Sequence, residues 1–247
     1  MDFLQRAQLL LGDDVMERVA QQRIIVFGCG GVGSWCIEAL VRSGIRHITL
    51  VDFDRVAPSN INRQLMATQA TVGQVKVEAM RDHLLTISPE AEIVIRNETY
   101  CADTADTFPL DDYDYVIDAI DSLPDKQLLI ERATRSRARL FSSMGAALKL
   151  DPTRIQVAEF WKVKGCPLAR ALRQRFKKSN TFPARKFQCV FSDEVILKRR
   201  EGEKERRSKG EECSTPNGSL VHITAIFGFT LAGLILSDVK KQYCSYM

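Results

Sequence analysis

The sequence is poor in histidine and has no closely paired cysteines. Its 247 residues include three histidines and seven cysteines, and no two cysteines are spaced C-x-x-C. An odd number of cysteines argues against a complete disulfide framework. No signal-like apolar run opens the chain, because Asp2 and Arg6 interrupt it. We therefore expect a protein of the reducing cytoplasm.

The composition excludes a disordered or fibrous chain. Hydrophobic residues make up 45% and charged residues 27% of the sequence, which is typical of a globular protein. The length suits one α/β domain with one large core. With no internal repeat and no evident linker, we predict a single domain over residues 1–247.

The net charge of +4 is unevenly distributed. Residues 162–186 contain nine Lys or Arg and no Asp or Glu, which favours either a polyanionic partner or an ordinary solvated surface. Phe176 and Phe182 lie among these cations and could stack on bases or pack in the core. Residues 198–209 mix both signs, and we predict a mobile basic loop at 198–213.

One apolar stretch approaches the length of a membrane-spanning helix. Residues 220–236 contain no Lys, Arg, Asp or Glu. Ala225, Gly228 and Ala232 recur at helical spacing and suit close packing on another element. We predict a buried core or dimer helix without stable membrane insertion, a membrane span being the alternative.

The first half alternates strand-like and helical patterns, which predicts βαβ units. The expected strands are 23–27, 48–51, 93–95, 115–120 and 140–142, and the expected helices are 32–43, 70–87 and 123–137. Beyond residue 144 the pattern predicts a hairpin over 146–160 and a basic helix over 167–178. The fold class is therefore α/β: a Rossmann-like, doubly wound, mainly parallel sheet with flanking helices and a C-terminal extension.

A glycine-rich turn follows the first predicted strand. Gly28, Gly30, Gly31 and Gly33 form G-x-G-G-x-G, which permits a tight turn and brings the helix N-terminus close to phosphate. Asp52 ends the second strand, where a carboxylate accepts hydrogen bonds from ribose hydroxyls. These features alone also fit an NAD-binding oxidoreductase or sensor.

Polar residues further along favour a triphosphate. Arg63 and Lys76 are cations that follow the second strand, and Asp121 follows a later strand. Two cations near a glycine turn suit the charge of ATP, and a carboxylate at a strand end suits Mg²⁺.

Together these motifs resemble the ubiquitin-activating-enzyme-like superfamily, including the ThiF-type adenylators of bacterial sulfur-carrier proteins. The resemblance implies that Gly31 lies against ATP, that Asp52 holds the ribose and that Asp121 binds Mg²⁺. It places Arg6 across a homodimer, in the partner's active site. The other residues it assigns to the nucleotide are Ser59, Asn60, Asn62, Arg63, Lys76 and Ser122.

Several segments indicate a branch of that superfamily. The sulfur-carrier adenylators usually have two C-x-x-C pairs, which this chain lacks. Residues 33–35, 118–122, 151–157, 167–169 and 189–192 instead resemble the tRNA threonylcarbamoyladenosine dehydratase family. That resemblance implies ATP-dependent cyclisation of threonylcarbamoyladenosine in tRNA through an acyl-adenylate.

The sequence leaves two aspects of the chemistry open: which carboxylate is adenylated, and whether a side chain acts as nucleophile or general base. The alternative activity is adenylation of the C-terminal glycine of a ubiquitin-like sulfur-carrier protein, with Cys189 and Cys213 as thioester candidates. Within the tRNA reaction the nucleophile is tethered to its target, so that proximity can replace a catalytic side chain. No histidine has a sequence context that recommends it as a general base.

Overall fold

In the computed structural model of the protein, residues 3–196 and 217–245 are described. Seven strands form one sheet in the order β3-β2-β1-β4-β5-β7-β6. β6 pairs antiparallel with β7, and the other pairings are parallel. The strands are β1 Arg23–Phe27, β2 His47–Val51, β3 Glu92–Arg96, β4 Tyr115–Asp118, β5 Arg139–Ser143, β6 Ile155–Glu159 and β7 Gln188–Ser192.

Seven α-helices are present in the described ranges. They are α1 Gln5–Leu11, α2 Asp13–Gln21, α3 Gly33–Arg42, α4 Lys76–Leu85, α5 Leu123–Ala133, α6 Pro167–Ser179 and α7 Val221–Ser245. Pro124 and Pro167 lie in the first turns of α5 and α6, where the missing N–H of proline is no loss.

The helices cover the two faces of the sheet. In β1, Ile24 and Val26 pack towards a core that includes α3, α4 and α7. Ile25 and Phe27 point the other way, into a core that includes α5 and α6. The two-residue period of a strand thus divides one apolar run between two cores.

α7 packs closely against α3. A side chain at Gly228 would place its Cβ 2.6 Å from the Val32 carbonyl oxygen and 2.7 Å from the Cys36 nitrogen. By length and composition alone, Val221–Cys244 could cross a membrane. Ile223, Phe227 and Leu231 are instead fully buried within the protein.

The predicted fold class is confirmed by the sheet order and by the helices on both faces. The helix expected over 70–87 begins only at Lys76, because Val75 forms an antiparallel bridge with Arg55 and Gly73 has φ +89°. Its N-terminal part was therefore predicted wrongly.

The hairpin expected over 146–160 is also wrong. Pro152–Arg154 forms a short 3-10 turn, and β6 pairs with β7, about thirty residues further on. The basic helix is confirmed as α6. The loop at 198–213 and Cys213 lie outside the described residues, and the single domain over 1–247 stays a prediction.

Candidate nucleotide site

A cleft of about 850 Å³ opens at the carboxyl ends of β1, β2 and β4. In an open parallel sheet, ligands bind at this edge, where the order of the strands reverses. The volume is that of a small-molecule site. The predicted nucleotide residues that line it are Gly28, Gly30, Gly31, Asp52, Asn60, Arg63, Lys76, Asp121 and Ser122.

The glycine turn depends on missing side chains at two positions. Gly28 has φ +95°, and an added Cβ would lie 2.7 Å from the Ala119 carbonyl oxygen. A Cβ at Gly33 would lie 1.8 Å from the Gly28 carbonyl oxygen. These contacts hold the start of α3 against the end of β1, and so direct the helix N-terminus into the cleft.

Asp52 connects the end of β2 to the glycine turn. Its Oδ2 accepts a hydrogen bond from the Cys29 nitrogen at 2.7 Å, and its Oδ1 accepts one from the Asp54 nitrogen at 2.9 Å. Burial raises the pKa of Asp52, and the nearby Lys76 and the two N–H groups oppose that rise. Each carboxylate oxygen retains lone pairs that can accept further bonds from a ligand.

The two candidate phosphate-binding cations are held differently. Lys76 is almost fully buried and pairs with Asp54 at 2.6 Å. The Arg63 guanidinium donates to the Ser59 carbonyl oxygen and to Asn62 Oδ1, both at 2.9 Å. The Cγ of Arg63 also lies 3.3 Å from the Cβ position of Gly31, which places the arginine beside the glycine turn.

A buried ion pair lies behind the segment that bears Asp121. The Lys126 and Asp118 side chains are both fully buried, with Nζ and Oδ2 2.8 Å apart. Ser142 Oγ donates to the same Oδ2 at 2.6 Å. Asp121 itself is exposed at the cleft and makes no hydrogen bond or ion pair with any described residue.

Four of the predicted site residues do not line this cleft. Gly33 supports the turn from behind, and Ser59 and Asn62 act on Arg63 from outside the cleft. Asn62 Nδ2 also donates to the Ser219 carbonyl oxygen at 2.9 Å. Arg6 is exposed on α1, whose neighbour Leu4 packs against Gly44, at the end of α3 remote from the glycine turn.

The structure adds further polar residues to the cleft wall, among them Asp54, Gln64 and Tyr100. Gln64 Oε1 and the Tyr100 hydroxyl are buried and have no partner among the described residues. Burial raises the pKa of Tyr100, so the hydroxyl stays protonated and can donate. The D-x-D spacing of Asp52 and Asp54 was a usable sequence signal, whereas nothing local marked Tyr100.

The candidate thioester cysteine lies in the core. Cys189 is fully buried in β7, and burial raises the pKa of its thiol well above the usual range. Because the thiolate is the nucleophile, this position does not suit thioester chemistry. None of the three histidines lines the cleft: His83 bonds Glu38, His47 bonds Glu92 and His222 bonds the Leu150 carbonyl.

The fold and the cleft define a nucleotide-binding α/β protein in which two cations and several carboxylates face the glycine turn. Residues 4–242 match the ThiF family. The chain belongs to that family.

The similarity to named relatives covers almost the whole chain. The tRNA threonylcarbamoyladenosine dehydratase of Haemophilus influenzae is 36% identical over 234 residues, 93% of this chain and 90% of that protein. The structure of the Escherichia coli tRNA N6-threonylcarbamoyladenosine dehydratase in complex with ATP superposes with a TM-score of 0.85 at 33% identity, covering 98% of this chain and 95% of that one.

A second group of relatives matches a shorter part of the chain. The molybdopterin-synthase adenylyltransferase of Escherichia coli is 33% identical over 164 residues, 66% of this chain and 63% of that protein. The similarity to the dehydratases therefore includes segments that the similarity to the molybdopterin-synthase adenylyltransferase does not.

Proposed function

We propose that this protein is an ATP-dependent tRNA threonylcarbamoyladenosine dehydratase. The observation that carries the proposal is the cleft, in which the glycine turn, Arg63, Lys76 and Asp121 face one cavity. The near-complete coverage of dehydratases by this chain supports the same activity. We place the reaction in the cytoplasm, where its tRNA substrate occurs.

The chemistry follows from the poor leaving group of a carboxylate. Attack of the threonyl carboxylate on the α-phosphate of ATP forms an acyl-adenylate and releases pyrophosphate. The carbamoyl group of the same nucleoside then closes on the activated carbonyl, loses its proton and expels AMP. Arg63 and Lys76 would stabilise negative charge on the phosphates in the first step.

The cleft also fits a magnesium ion. Mg²⁺ is usually held by one or two carboxylates together with substrate phosphates and water, and the uncommitted carboxylate of Asp121 faces the cavity. We propose Asp121 as its protein ligand. When bound, the ion would neutralise phosphate charge.

Incubation with ATP, Mg²⁺ and threonylcarbamoyladenosine-containing tRNA tests the activity. We expect AMP and a cyclic nucleoside 18 mass units lighter, one water having been lost. Tests with a ubiquitin-like carrier protein run in parallel. AMP formation with the carrier alone would refute the tRNA assignment and establish the alternative activity.

An NAD-binding function is the more distant alternative. The glycine turn and Asp52 support NAD binding, whereas the cations at the cleft favour ATP. Calorimetric titration separates the two, since tight binding of NAD without any response to ATP–Mg²⁺ would overturn the proposal.

The roles of single residues are tested by Arg63→Ala, Lys76→Ala and Asp121→Ala. Each is expected to lower the rate of AMP formation roughly a hundred- to thousandfold, as for the loss of one preorganised contact. Circular dichroism and thermal unfolding check the fold. Wild-type turnover in a folded variant would remove that residue from the site.

We further propose a homodimer with two composite sites. Leu9 and Leu10 are 79% and 77% exposed on α1, which is unusual for adjacent leucines unless another surface covers them. Arg6 lies on the same helix, remote from its own cleft, and would act in the partner's. The alternative is a helix that serves only its own subunit.

Subunit mixing distinguishes these two arrangements. Arg6→Ala and Asp121→Ala should each be inactive alone. If Arg6 acts across the dimer, a mixed dimer contains one site with both lesions and one intact site. Activity should then return on mixing. No recovery in verified heterodimers would refute the trans arrangement and leave the adenylation chemistry standing.

A further inference from the structure

α6 presents cations that the fold itself does not use. Arg170, Lys177 and Lys178 are exposed, and their side chains make no hydrogen bond or ion pair within the described ranges 3–196 and 217–245. With exposed Gln174 between them, they follow one face of the helix at helical spacing. We call these three cations the basic stripe.

Other cations of the same segment have structural roles. Arg173 donates to the Phe160 and Val163 carbonyl oxygens, and Arg175 donates to Gln127. Arg185 donates to carbonyl oxygens at the end of α5 and in the segment between α5 and β5. The sequence run thus divides into cations that hold the fold and cations that face solvent.

The position of Arg170 is unfavourable for the helix. It lies in the first turn of α6, which contains no acidic residue. A cation near a helix N-terminus opposes the helix dipole by roughly 0.3–1 kcal/mol. Stability of α6 can account for Lys177 and Lys178 in its last turn, but not for Arg170.

The basic stripe begins on the turn of α6 that borders the cleft. Leu168, in the same turn as Arg170, lines the candidate nucleotide site, and Arg170 projects from the opposite side of the helix. From Arg170 to Lys178 the stripe extends about 12 Å, at 1.5 Å per residue. A polyanion with its reacting group in the cleft would reach these side chains by crossing the first turn of α6.

An exposed aromatic pair lies at the far end of α6. Trp161 is 41% and Phe182 45% exposed, with ring centroids 6.2 Å apart. Phe160 and Phe176 pack together beneath them, next to the last turn of α6. Aromatic rings beside cations are the combination that binds single-stranded bases and backbone together.

We propose that the basic stripe and the Trp161–Phe182 pair form the tRNA-docking surface of this enzyme. The stripe contacts phosphates of the strand that enters the cleft, and the aromatic pair stacks on an unpaired base. This inference rests on the proposed function. On this proposal tRNA binds on the side of the sheet that α5 and α6 cover. It does not contact the opposite side, which α7 covers.

A matched pair of variants tests the stripe. Arg170→Gln/Lys178→Gln removes one arginine and one lysine from it. Arg46→Gln/Lys240→Gln removes the same two residue types from exposed positions, before β2 and on α7. Binding of labelled threonylcarbamoyladenosine-containing tRNA to the full chain is measured by fluorescence anisotropy between 50 and 200 mM KCl.

The expected loss follows from counterion release. Each phosphate contact contributes about 0.7–0.9 to the slope of log K against log[salt]. Relative to 1 M salt, one contact therefore raises the association constant roughly 5- to 8-fold at 0.1 M. The stripe variant should therefore bind tRNA about 25- to 60-fold more weakly, with a slope smaller by about 1.4–1.8. The control variant should keep the wild-type affinity and slope.

The aromatic pair is tested by two substitutions of Phe182, one of which keeps an aromatic ring and serves as the control. Phe182→Leu should weaken tRNA binding about 5- to 160-fold, the range for loss of one stacked base, whereas Phe182→Tyr should retain it. In turnover assays the stripe variant should raise the KM for tRNA and leave kcat at saturating tRNA unchanged.

The outcomes separate this inference from the proposed function. If wild type forms the cyclic nucleoside but the stripe variant binds tRNA as tightly as the control, the docking surface is refuted and the activity stands. If wild type forms no cyclic nucleoside, the proposed function itself fails. Unchanged tRNA binding with weakened binding of polyglutamate would assign the stripe to an acidic protein and overturn the proposal.

Discussion

Lys126 offers a sharp test of how the cleft is supported from within. Its Nζ lies 2.8 Å from Asp118 Oδ2 and donates to the Ile120 carbonyl oxygen at 3.0 Å. The Ile120 nitrogen in turn donates to Asp118 Oδ1 at 3.2 Å. The pair therefore holds both backbone polar groups of Ile120, next to Asp121.

Replacing Lys126 with methionine leaves a buried carboxylate without its counter-ion. Breaking a buried pair in this way typically destabilises a protein by about 3–5 kcal/mol. In the double variant Asp118→Asn/Lys126→Met no buried charge is left. Its loss should be only about 1–3 kcal/mol, because the asparagine can keep part of the hydrogen bonding.

Urea unfolding at pH 7, followed by tryptophan fluorescence, measures both free energies of unfolding. AMP formation per folded molecule should fall in both variants, since the segment that carries Asp121 loses its support. A loss of less than about 1 kcal/mol in Lys126→Met would contradict a supporting role of the ion pair. The single variant Asp118→Asn completes the cycle, and a double-variant loss equal to the sum of the two single losses would show no coupling between the side chains.

Three further predictions follow from buried groups and the glycine turn. Burial would raise the pKa of Glu38, but hydrogen bonds from His83 and Arg42 lower it. Wild type should therefore be more stable than Glu38→Gln by about 1–2 kcal/mol at pH 6. Thermal unfolding should show this advantage shrinking as the pH falls below 4.5, the pKa of the unfolded state, and no shrinkage would contradict the pairing. Gly33→Ala should weaken ATP binding at least about tenfold in calorimetry, because the turn must move to relieve the clash, whereas Gly233→Ala, with open space around its Cβ, should bind ATP normally. Cys189→Ala should keep wild-type AMP formation per folded molecule, and its loss would restore a chemical role for the thiol.

Local patterns determined the parts of the structure whose physics is local. The apolar run at 23–27 and the glycines that follow it predict β1, the turn and α3, because backbone conformation and strand period depend on adjacent residues. The order of motifs placed Asp52, Arg63, Lys76 and Asp121 at one cleft, since the carboxyl ends of parallel strands share one edge of a sheet.

Tertiary structure decided which distant groups meet. The partner of β6 is β7 and not the segment just before it, because antiparallel pairing is satisfied equally well by a strand far along the chain. The same holds for Lys126 and Asp118, which the fold buries together and whose charges must therefore pair. The cations of residues 162–186 cannot be told apart from sequence alone. Only packing shows that Arg173 bonds backbone carbonyls while Arg170 faces solvent.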